Sequence, residues 1–410
     1  MTKLQKSLCN IGFIVLLFAF WLAGSVREFA VYLPHQILAL IVLGLCCIGA
    51  VVIGLKWALS RRKDGRLGWG WFVALWVFVA ILYMIVFPRA LEKIDMQKND
   101  GYDALHVSSS QLLHGHFPYH VRDFEGNPIS PMPGALILAL PFLVLGRESL
   151  QNLFWLGVFI WFATRYFRFR VTAFAFLLVT VIANAHTLPN ILDGADYPIN
   201  WMYICVSVYL FFSAIDQDSN WKFIASGILL GVAFSSRPTY GLTIGPLLIA
   251  YLTQRIGLIS AIRRIALPLG VTLAVTLPFY LYDPAHFAPF HVTDHLGFLP
   301  VWLQGPLLIV LLVVAVATAC SGFLIRLTLP RFFLLAGLAS AVILVTPALM
   351  MTVFASSEKM MLLGYSDAAG CFLSLWAFRA FEDRFAPAST RQASLQPSNA
   401  NLAPPCTKPA

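Results

Sequence analysis

The side chains of this chain that can do acid–base chemistry are concentrated in residues 99–119, which read NDGYDALHVSSSQLLHGHFPY. The stretch contains two aspartates, Asp100 and Asp103, together with three histidines. A carboxylate placed beside a hydroxyl group can accept its proton as a general base. Aspartate and histidine also bind metal ions, but this spacing matches no characteristic metal motif. The simpler alternative is that Asp103 caps a helix and that the histidines belong to a solvated loop.

The composition of the chain places this polar stretch in a membrane protein. Of 410 residues, 59% are hydrophobic and only 11% are charged. A soluble domain carries roughly 25% charged residues, so lipid must solvate much of this surface. The net charge of +9 would suggest a nucleic-acid partner in a soluble protein, but here Lys and Arg cluster in short turns. Because such clustering indicates membrane topology, we expect no nucleic-acid partner and predict an all-α, polytopic bundle of transmembrane helices.

Apolar stretches predict about 12 to 13 spans, since each crossing of the hydrocarbon layer needs about 20 apolar residues. The predicted spans are 11–26, 33–57, 68–88, 150–166, 171–187, 199–215, 222–236, 239–254, 265–282, 303–325, 332–354 and 366–382. The segment 135–146 contains Pro141 and is short, so we expect a half-span or a re-entrant element there. We expect residues 1–386 to form one transmembrane domain and 387–410 to form a disordered cytoplasmic tail.

Basic turns assign the two sides of this bundle. Residues 61–66 read RRKDGR, and the positive-inside rule places that turn in the cytoplasm together with both termini. The following span then delivers residues 89–134 to the outside as the largest polar loop. With the predicted spans, the later arginines also fall on the cytoplasmic side: Arg165, Arg168, Arg170, Arg255, Arg263, Arg264, Arg326, Arg331, Arg379 and Arg384. We therefore expect the chemistry-bearing stretch on the extracytoplasmic face of the plasma membrane, which in a bacterium is the inner membrane.

The outer loop is expected to contain a short amphipathic helix lying along the membrane surface. Asp103 can start this helix by accepting hydrogen bonds from free backbone N–H groups, and Gly115 can end it. Apolar residues recur between the two positions. If the helix begins earlier, Asp100, Asp103 and His106 share one face because they repeat every three residues.

Further polar segments fall at the predicted outer ends of spans. They are residues 186–200, residues 282–298 and Arg237, which interrupts an apolar stretch. Their convergence on one face of a helical bundle predicts a binding site. The candidate substrate-binding residues are Asp193, Asp196, Asn200, Arg237, His106, Tyr119 and His291. The simpler alternatives are that Asp196 caps the next helix and that Arg237 extends its side chain to the membrane surface.

Several short motifs carry a resemblance to a known family. They are Asp103 followed by ALHV, LLHGHFPY at 112–119, NPISPMPGALILALPFLVLG at 127–146, DGADYPIN at 193–200 and GILLGVAFSSRPT at 227–239. Over roughly residues 80–250 the chain resembles the GT-C superfamily of membrane glycosyltransferases, most closely the polyprenyl-phosphate-mannose-dependent glycosyltransferase family 87. Two positions depart from the family pattern. Gly194 is followed by Ala195 where the family usually has Gly-Gln-x-Asn, and Arg237 stands where Lys is common.

The resemblance implies transfer of a sugar, mannose or another hexose or pentose, from a polyprenyl-phosphate carrier to a hydroxyl group outside the cytoplasm. The partners would be a lipid-linked sugar donor, a glycolipid or glycan acceptor, and membrane lipids. The general base of an inverting reaction would be Asp103, or otherwise Asp100, and Arg237 would stabilise the leaving phosphate. Family 87 needs no metal, whereas other members of the superfamily use a divalent ion, so no cofactor is assigned and a divalent ion stays open.

Two other classes of function remain as alternatives. A transporter or a flippase for lipids or glycans would favour inverted repeats and charges near the membrane midplane, and the sequence shows no repeat. A non-catalytic scaffold would not need a carboxylate-rich outer loop close to further carboxylates and an arginine.

Overall fold

The computed structural model describes residues 67–94, 100–124, 126–217, 219–290, 299–354 and 366–385, together with Gly49 and Ile53. The first two predicted spans, the basic turn 61–66 and the tail 387–410 lie outside these residues, apart from Gly49 and Ile53 in the second span. Within the described ranges the regular structure is helical, with a single isolated bridge between Arg122 and Pro128. The all-α prediction is therefore confirmed.

Fourteen α-helices follow one another in the described ranges. They are α1 (Trp69–Ile94), α2 (Asp100–Leu113), α3 (Pro133–Val144), α4 (Leu150–Tyr166), α5 (Arg170–Leu177), α6 (Thr187–Leu192), α7 (Tyr197–Asp216), α8 (Asn220–Phe234), α9 (Pro238–Ile256), α10 (Leu258–Tyr282), α11 (Val301–Leu324), α12 (Leu329–Ser340), α13 (Thr346–Phe354) and α14 (Ser366–Phe385). Short π-helical turns extend α5 over Leu178–Ile182 and join α12 to α13 over Ala341–Val345.

Most predicted spans coincide with one of these helices, and the clearest difference lies in the segment predicted as 171–187. That helix ends by Ile182, and α6 starts only five residues later. The cause is local, because the side-chain oxygen of Asn184 accepts hydrogen bonds from the backbone N–H groups of His186 and Thr187, each at 2.9 Å. An Asn that satisfies the free donors of a helix start favours a break over a continuous helix.

Four of the described helices are long and apolar enough to cross a membrane. They are Trp69–Leu91, Tyr197–Asp216, Leu258–Tyr282 and Val301–Leu324. One of the four differs in its surroundings: in α7, 83% of the most apolar window lies inside the protein, against 11–22% in the other three. Helices α1, α10 and α11 therefore expose broad apolar faces, which a soluble protein rarely does and which lipid would cover.

Helix α3 covers the segment predicted as a half-span. Its 12 residues correspond to about 18 Å, which is shorter than the roughly 30 Å of hydrocarbon in a bilayer. The helix begins against the end of α8, where the backbone N–H of Gly134 donates to the carbonyl of Ser235 at 2.9 Å. A side chain at Gly134 would meet the carbonyl oxygen of Val232 at 2.1 Å, so only glycine permits this approach. The position of α3 in the membrane stays a prediction.

Two ion pairs bracket helices α7 and α9. Arg237 and Asp196 pair where the two helices begin, and Arg255 and Asp216 pair where they end. We call the first end the site end and the second the arginine end. At the arginine end, Glu382 of α14 accepts hydrogen bonds from the backbone N–H groups that follow α4. Further arginines lie there, namely Arg168, Arg170 and Arg379. The cytoplasmic location of that end stays a prediction.

Candidate functional site

A largely buried ion pair at the site end joins two residues predicted to bind substrate. The guanidinium Nη2 of Arg237 donates to Oδ2 of Asp196 at 2.8 Å, and the two side chains are 12% and 2% exposed. Asp196 stands at the N-cap position of α7, as the capping alternative predicts, but its carboxylate makes no cap hydrogen bond and binds Arg237 instead. Arg237 is largely buried against its partner, so the alternative of an arginine reaching out to the membrane surface is wrong.

The same carboxylate organises the first turns of α7. The amide nitrogen of Asn200 donates to Oδ2 of Asp196 at 3.2 Å, and the hydroxyl group of Tyr203 donates to the side-chain oxygen of Asn200. The Arg237 guanidinium carbon lies 6.0 Å from the ring centroid of Tyr197, within the range of a cation–π contact. Asp196, Asn200 and Arg237 therefore form one connected network, which fixes a positive charge at the site end.

The segment that follows α2 docks next to Arg237. The backbone N–H of Met132 donates to the carbonyl of Ser236 at 3.4 Å, one residue before Arg237. Tyr119 is buried nearby, and its hydroxyl group donates to the carbonyl of Pro131 at 3.0 Å. Burial raises the pKa of Tyr119, and the positive charge of Arg237 opposes this shift. Tyr119 thus packs this segment against the Asp196–Arg237 network, and its hydroxyl group donates its hydrogen bond to the protein backbone.

Asp103 occupies the second turn of α2, because that helix begins at Asp100 and not at Asp103. The prediction that Asp103 caps the helix is therefore wrong. Its Oδ2 atom accepts the backbone N–H of Phe124 at 2.8 Å, across the loop. Burial raises the pKa of Asp103, and the negative charge of Asp123 adds to this effect, whereas the Phe124 hydrogen bond and the nearby His106 oppose it. A half-buried carboxyl group with a raised pKa is a stronger base than an exposed aspartate.

His106, one turn further along α2, pairs with a residue that the sequence did not suggest. Its Nδ1 atom lies 2.8 Å from Oε2 of Glu148, whose side chain is almost completely buried. The hydrogen bond that His106 donates to the carboxylate of Glu148 raises the pKa of His106, and burial of the imidazole opposes this shift. The ring of Tyr102 stacks on His106 with centroids 5.6 Å apart. Glu148 lies in the short turn between two apolar segments, and this position is the signal that could have identified it.

A tight turn connects α2 to the Asp196 network. Gly194 has a φ of +89°, and a side chain there would meet Phe87 at 2.7 Å and Tyr102 at 2.9 Å. The carboxylate of Asp193 accepts the backbone N–H of Ala195 at 3.3 Å within this turn. Because Tyr102 precedes Asp103, the turn holds the proposed base and the Arg237–Asp196 pair at the same end of the bundle.

A second buried pair lies at the site end. The Nδ1 atom of His186 is 2.8 Å from Oδ2 of Asp367, and the hydroxyl group of Thr187 donates to the same oxygen at 3.0 Å. Both members of the pair are almost completely buried. The ring of His186 lies 6.2 Å from that of Tyr197, which links this pair to the surroundings of Arg237. No local sequence pattern indicated that Asp367 belongs to this region.

Two further predicted site residues are Asp100 and His291. Asp100 is the first residue of α2, but its side chain lies outside the described part of the protein. His291 belongs to residues 291–298, which also lie outside it. Their roles stay predictions.

Comparison of the chain with known protein families, curated proteins and solved structures finds no significant match.

Proposed function

We propose that this protein is an integral membrane glycosyltransferase of the GT-C type, which moves a hexose or pentose from a polyprenyl-phosphate carrier to an acceptor hydroxyl group. The observation that carries the proposal is that Asp196 holds Arg237 at the site end, next to Met132 at the end of the segment that follows α2 and its Asp103. The motif resemblance supplies the reaction class, and the apolar faces of α1, α10 and α11 suit a lipid-borne donor.

On the donor side, the reaction breaks the bond between the anomeric carbon and the phosphate oxygen, and negative charge grows on that phosphate. A guanidinium held in place before the reaction stabilises such charge without reorganisation. Asp196 accepts a hydrogen bond from Nη2 of Arg237. Arginine carries five N–H donors, so one guanidinium can bind a carboxylate and a phosphate at once.

On the acceptor side, the hydroxyl oxygen attacks the anomeric carbon and its proton passes to a carboxylate. Asp103 is the proposed base, because its raised pKa favours proton acceptance and its second oxygen is not used by Phe124. The product is an inverted glycoside, a free polyprenyl phosphate and a protonated aspartate, which returns its proton to water.

The test is transfer from a radiolabelled polyprenyl-phosphate sugar by purified protein in lipid nanodiscs. We expect Asp103→Asn to lower kcat by about 10²–10⁴-fold, the usual contribution of a general base. Arg237→Gln should lower kcat and also weaken donor binding. Asp216→Asn is the matched control, because it changes an exposed carboxylate at the arginine end, away from the site end. Full activity in Asp103→Asn would overturn the base assignment, and vectorial movement of intact donor without transfer would favour a flippase.

The site end should also face the outside. A cysteine at exposed His116 should react with an impermeant thiol reagent added to intact cells. Ser109 is completely buried and serves as the unreactive control position. Labelling of His116→Cys only after the cells are opened would place the site end in the cytoplasm.

A further inference from the structure

Three potential metal ligands from two distant segments meet beside the loop that follows α2. The Nε2 atom of His120 and the Nδ1 atom of His286 each lie 2.8 Å from Oδ2 of Asp283. The three ligand atoms all lie within 4.8 Å of one another. Two imidazoles and one carboxylate form the ligand set of many sites for first-row transition ions. We propose that His120, Asp283 and His286 bind a divalent first-row transition metal ion such as Zn²⁺.

The packing beneath these residues fixes their separation. His120 directly follows Tyr119, and His286 directly precedes Phe287. The rings of Tyr119 and Phe287 are both buried, and their centroids lie 4.8 Å apart in an edge-to-face contact. Because each histidine is adjacent in sequence to one of these packed aromatic residues, the packing also brings the two imidazoles together. Their ring centroids lie 5.0 Å apart. The positions of the two histidines therefore depend on the packing of the buried Tyr119 and Phe287 side chains.

The carboxylate between the histidines is oriented by its own backbone. Asp283 follows the last residue of α10, and its Oδ1 atom accepts the backbone N–H of His286 at 3.3 Å. This bond directs the other oxygen, Oδ2, to the two imidazoles. Outer hydrogen bonds of this kind commonly orient the ligands of metal sites.

The ligand types select the class of ion. Ca²⁺ and Mg²⁺ prefer oxygen ligands, whereas imidazole suits Zn²⁺ and its neighbours in the first transition row. A zinc ion bound at about 2.0–2.2 Å from each atom would spread the ligands slightly beyond their present 2.8 Å contacts. The histidine side chains are 47% and 61% exposed, so both rings have room for this movement. Each imidazole would carry its proton on the ring nitrogen that faces away from the ion.

An ion at this position would join the outer loop to the end of α10. Three protein ligands leave a further coordination position for water or for an oxygen of a bound molecule. The site is separate from Asp103 and from Arg237, so its existence does not depend on the proposed transfer reaction. Metal binding to this site can be measured without the sugar donor or the acceptor.

The experiment uses the full chain, without a histidine tag, purified in detergent and freed of metal with a chelator. Zn²⁺ is added and bound metal is quantified by isothermal titration calorimetry, and Co²⁺ is added separately to record its visible absorption spectrum. We expect saturable binding of Zn²⁺, a Co²⁺ spectrum typical of mixed nitrogen and oxygen ligands, and no competition by Mg²⁺. The variants are His120→Ala, His286→Ala and Asp283→Asn. His114→Ala is the control, because His114 is an exposed histidine of the same loop outside the cluster.

The proposal expects each of the three variants to lose the binding that His114→Ala retains. Thermal unfolding without metal verifies that the variants are folded, which is expected because His120 and His286 are substantially exposed. Absence of saturable Zn²⁺ binding to the wild-type protein would overturn the proposal. Undiminished binding in both His120→Ala and His286→Ala would overturn it as well.

Discussion

The guanidinium of Arg237 lies 2.8 Å from the carboxylate of Asp196, at the shared starting point of two helices that a second ion pair joins at their other end. The first pair is buried and the second is exposed, since the side chains of Arg255 and Asp216 are 40% and 52% accessible. Buried pairs are costly to break on one side only, whereas exposed pairs contribute little. The effect of removing an arginine can therefore be compared between a buried and an exposed ion pair that join the same two helices.

We expect Arg237→Ala to destabilise the protein by about 3–5 kcal/mol, because it leaves the buried carboxylate of Asp196 without its cation. The double variant Arg237→Ala with Asp196→Asn should recover part of that loss, since it removes the uncompensated charge. Thermal unfolding in detergent measures both. Arg255→Ala is the control and should cost at most about 1 kcal/mol. Equal destabilisation by Arg237→Ala and Arg255→Ala would contradict the burial of the first pair.

The turn at Gly194 gives a second prediction about how α2 is held against the site. Gly194 and Gly115 both have positive φ angles, +89° and +76°, so alanine costs roughly 1–2 kcal/mol of backbone strain at either position. Only at Gly194 would the new methyl group also meet the rings of Phe87 and Tyr102. We expect Gly194→Ala to cost roughly 1–3 kcal/mol more than Gly115→Ala, the usual range for overpacking. Similar losses of thermal stability in the two variants would show that the turn is not closely packed.

The sequence predicted the helices well and the polar contacts between them poorly. Long apolar stretches define α4, α7 and α9 within a few residues, because burial and lipid solvation depend on composition that is local in the chain. The Asp196–Arg237 network was predicted as a group of neighbouring residues, since both lie at predicted outer ends of spans. Glu148 and Asp367 were missed because each finds its partner by packing, 42 and 181 residues away along the chain. No local pattern encodes such a distance.

The buried pair of His186 and Asp367 gives a third prediction. Asp367→Ala would leave the donors of His186 and Thr187 without their acceptor, and an unsatisfied buried polar group costs roughly 1–3 kcal/mol. Asp367→Asn keeps one side-chain oxygen as an acceptor and should cost less. The two variants are compared by thermal unfolding in detergent. If alanine and asparagine were equally well tolerated, the carboxylate would have no part in holding α14 against the site end.

The contact between His106 and Glu148 predicts how stability depends on pH. The folded-state pKa of His106 is raised above its usual 6.5, chiefly by the hydrogen bond that it donates to Glu148. A raised histidine pKa means that the folded state binds the proton more tightly than the unfolded state does. The stabilisation is therefore fully present below pH 6.5 and is lost as the pH rises through the folded-state value. His106→Gln should remove this part of the pH dependence.

The measurement is the unfolding temperature as a function of pH for the wild-type protein, His106→Gln and the control His114→Gln. His114 lies in the same loop, and its imidazole contacts only the carbonyl of Ser110 among the described residues. We expect the control to follow the wild-type curve. A wild-type curve with the same slope as His106→Gln above pH 6.5 would exclude the histidine as its source.

The surroundings of Asp103 predict a shift in the pH profile of sugar transfer, if Asp103 is the base that we propose. Transfer should then increase as the pH rises through the pKa of Asp103, which burial holds above its usual 3.8. The negative charge of Asp123 contributes to this elevation, so Asp123→Asn should move the acid limb of kcat/KM to lower pH. Asparagine keeps a side-chain oxygen to accept the backbone N–H of Asn127, which limits the change to charge. An acid limb that stays in place in Asp123→Asn would assign the titrating group to another carboxyl, with Asp100 as the next to be replaced.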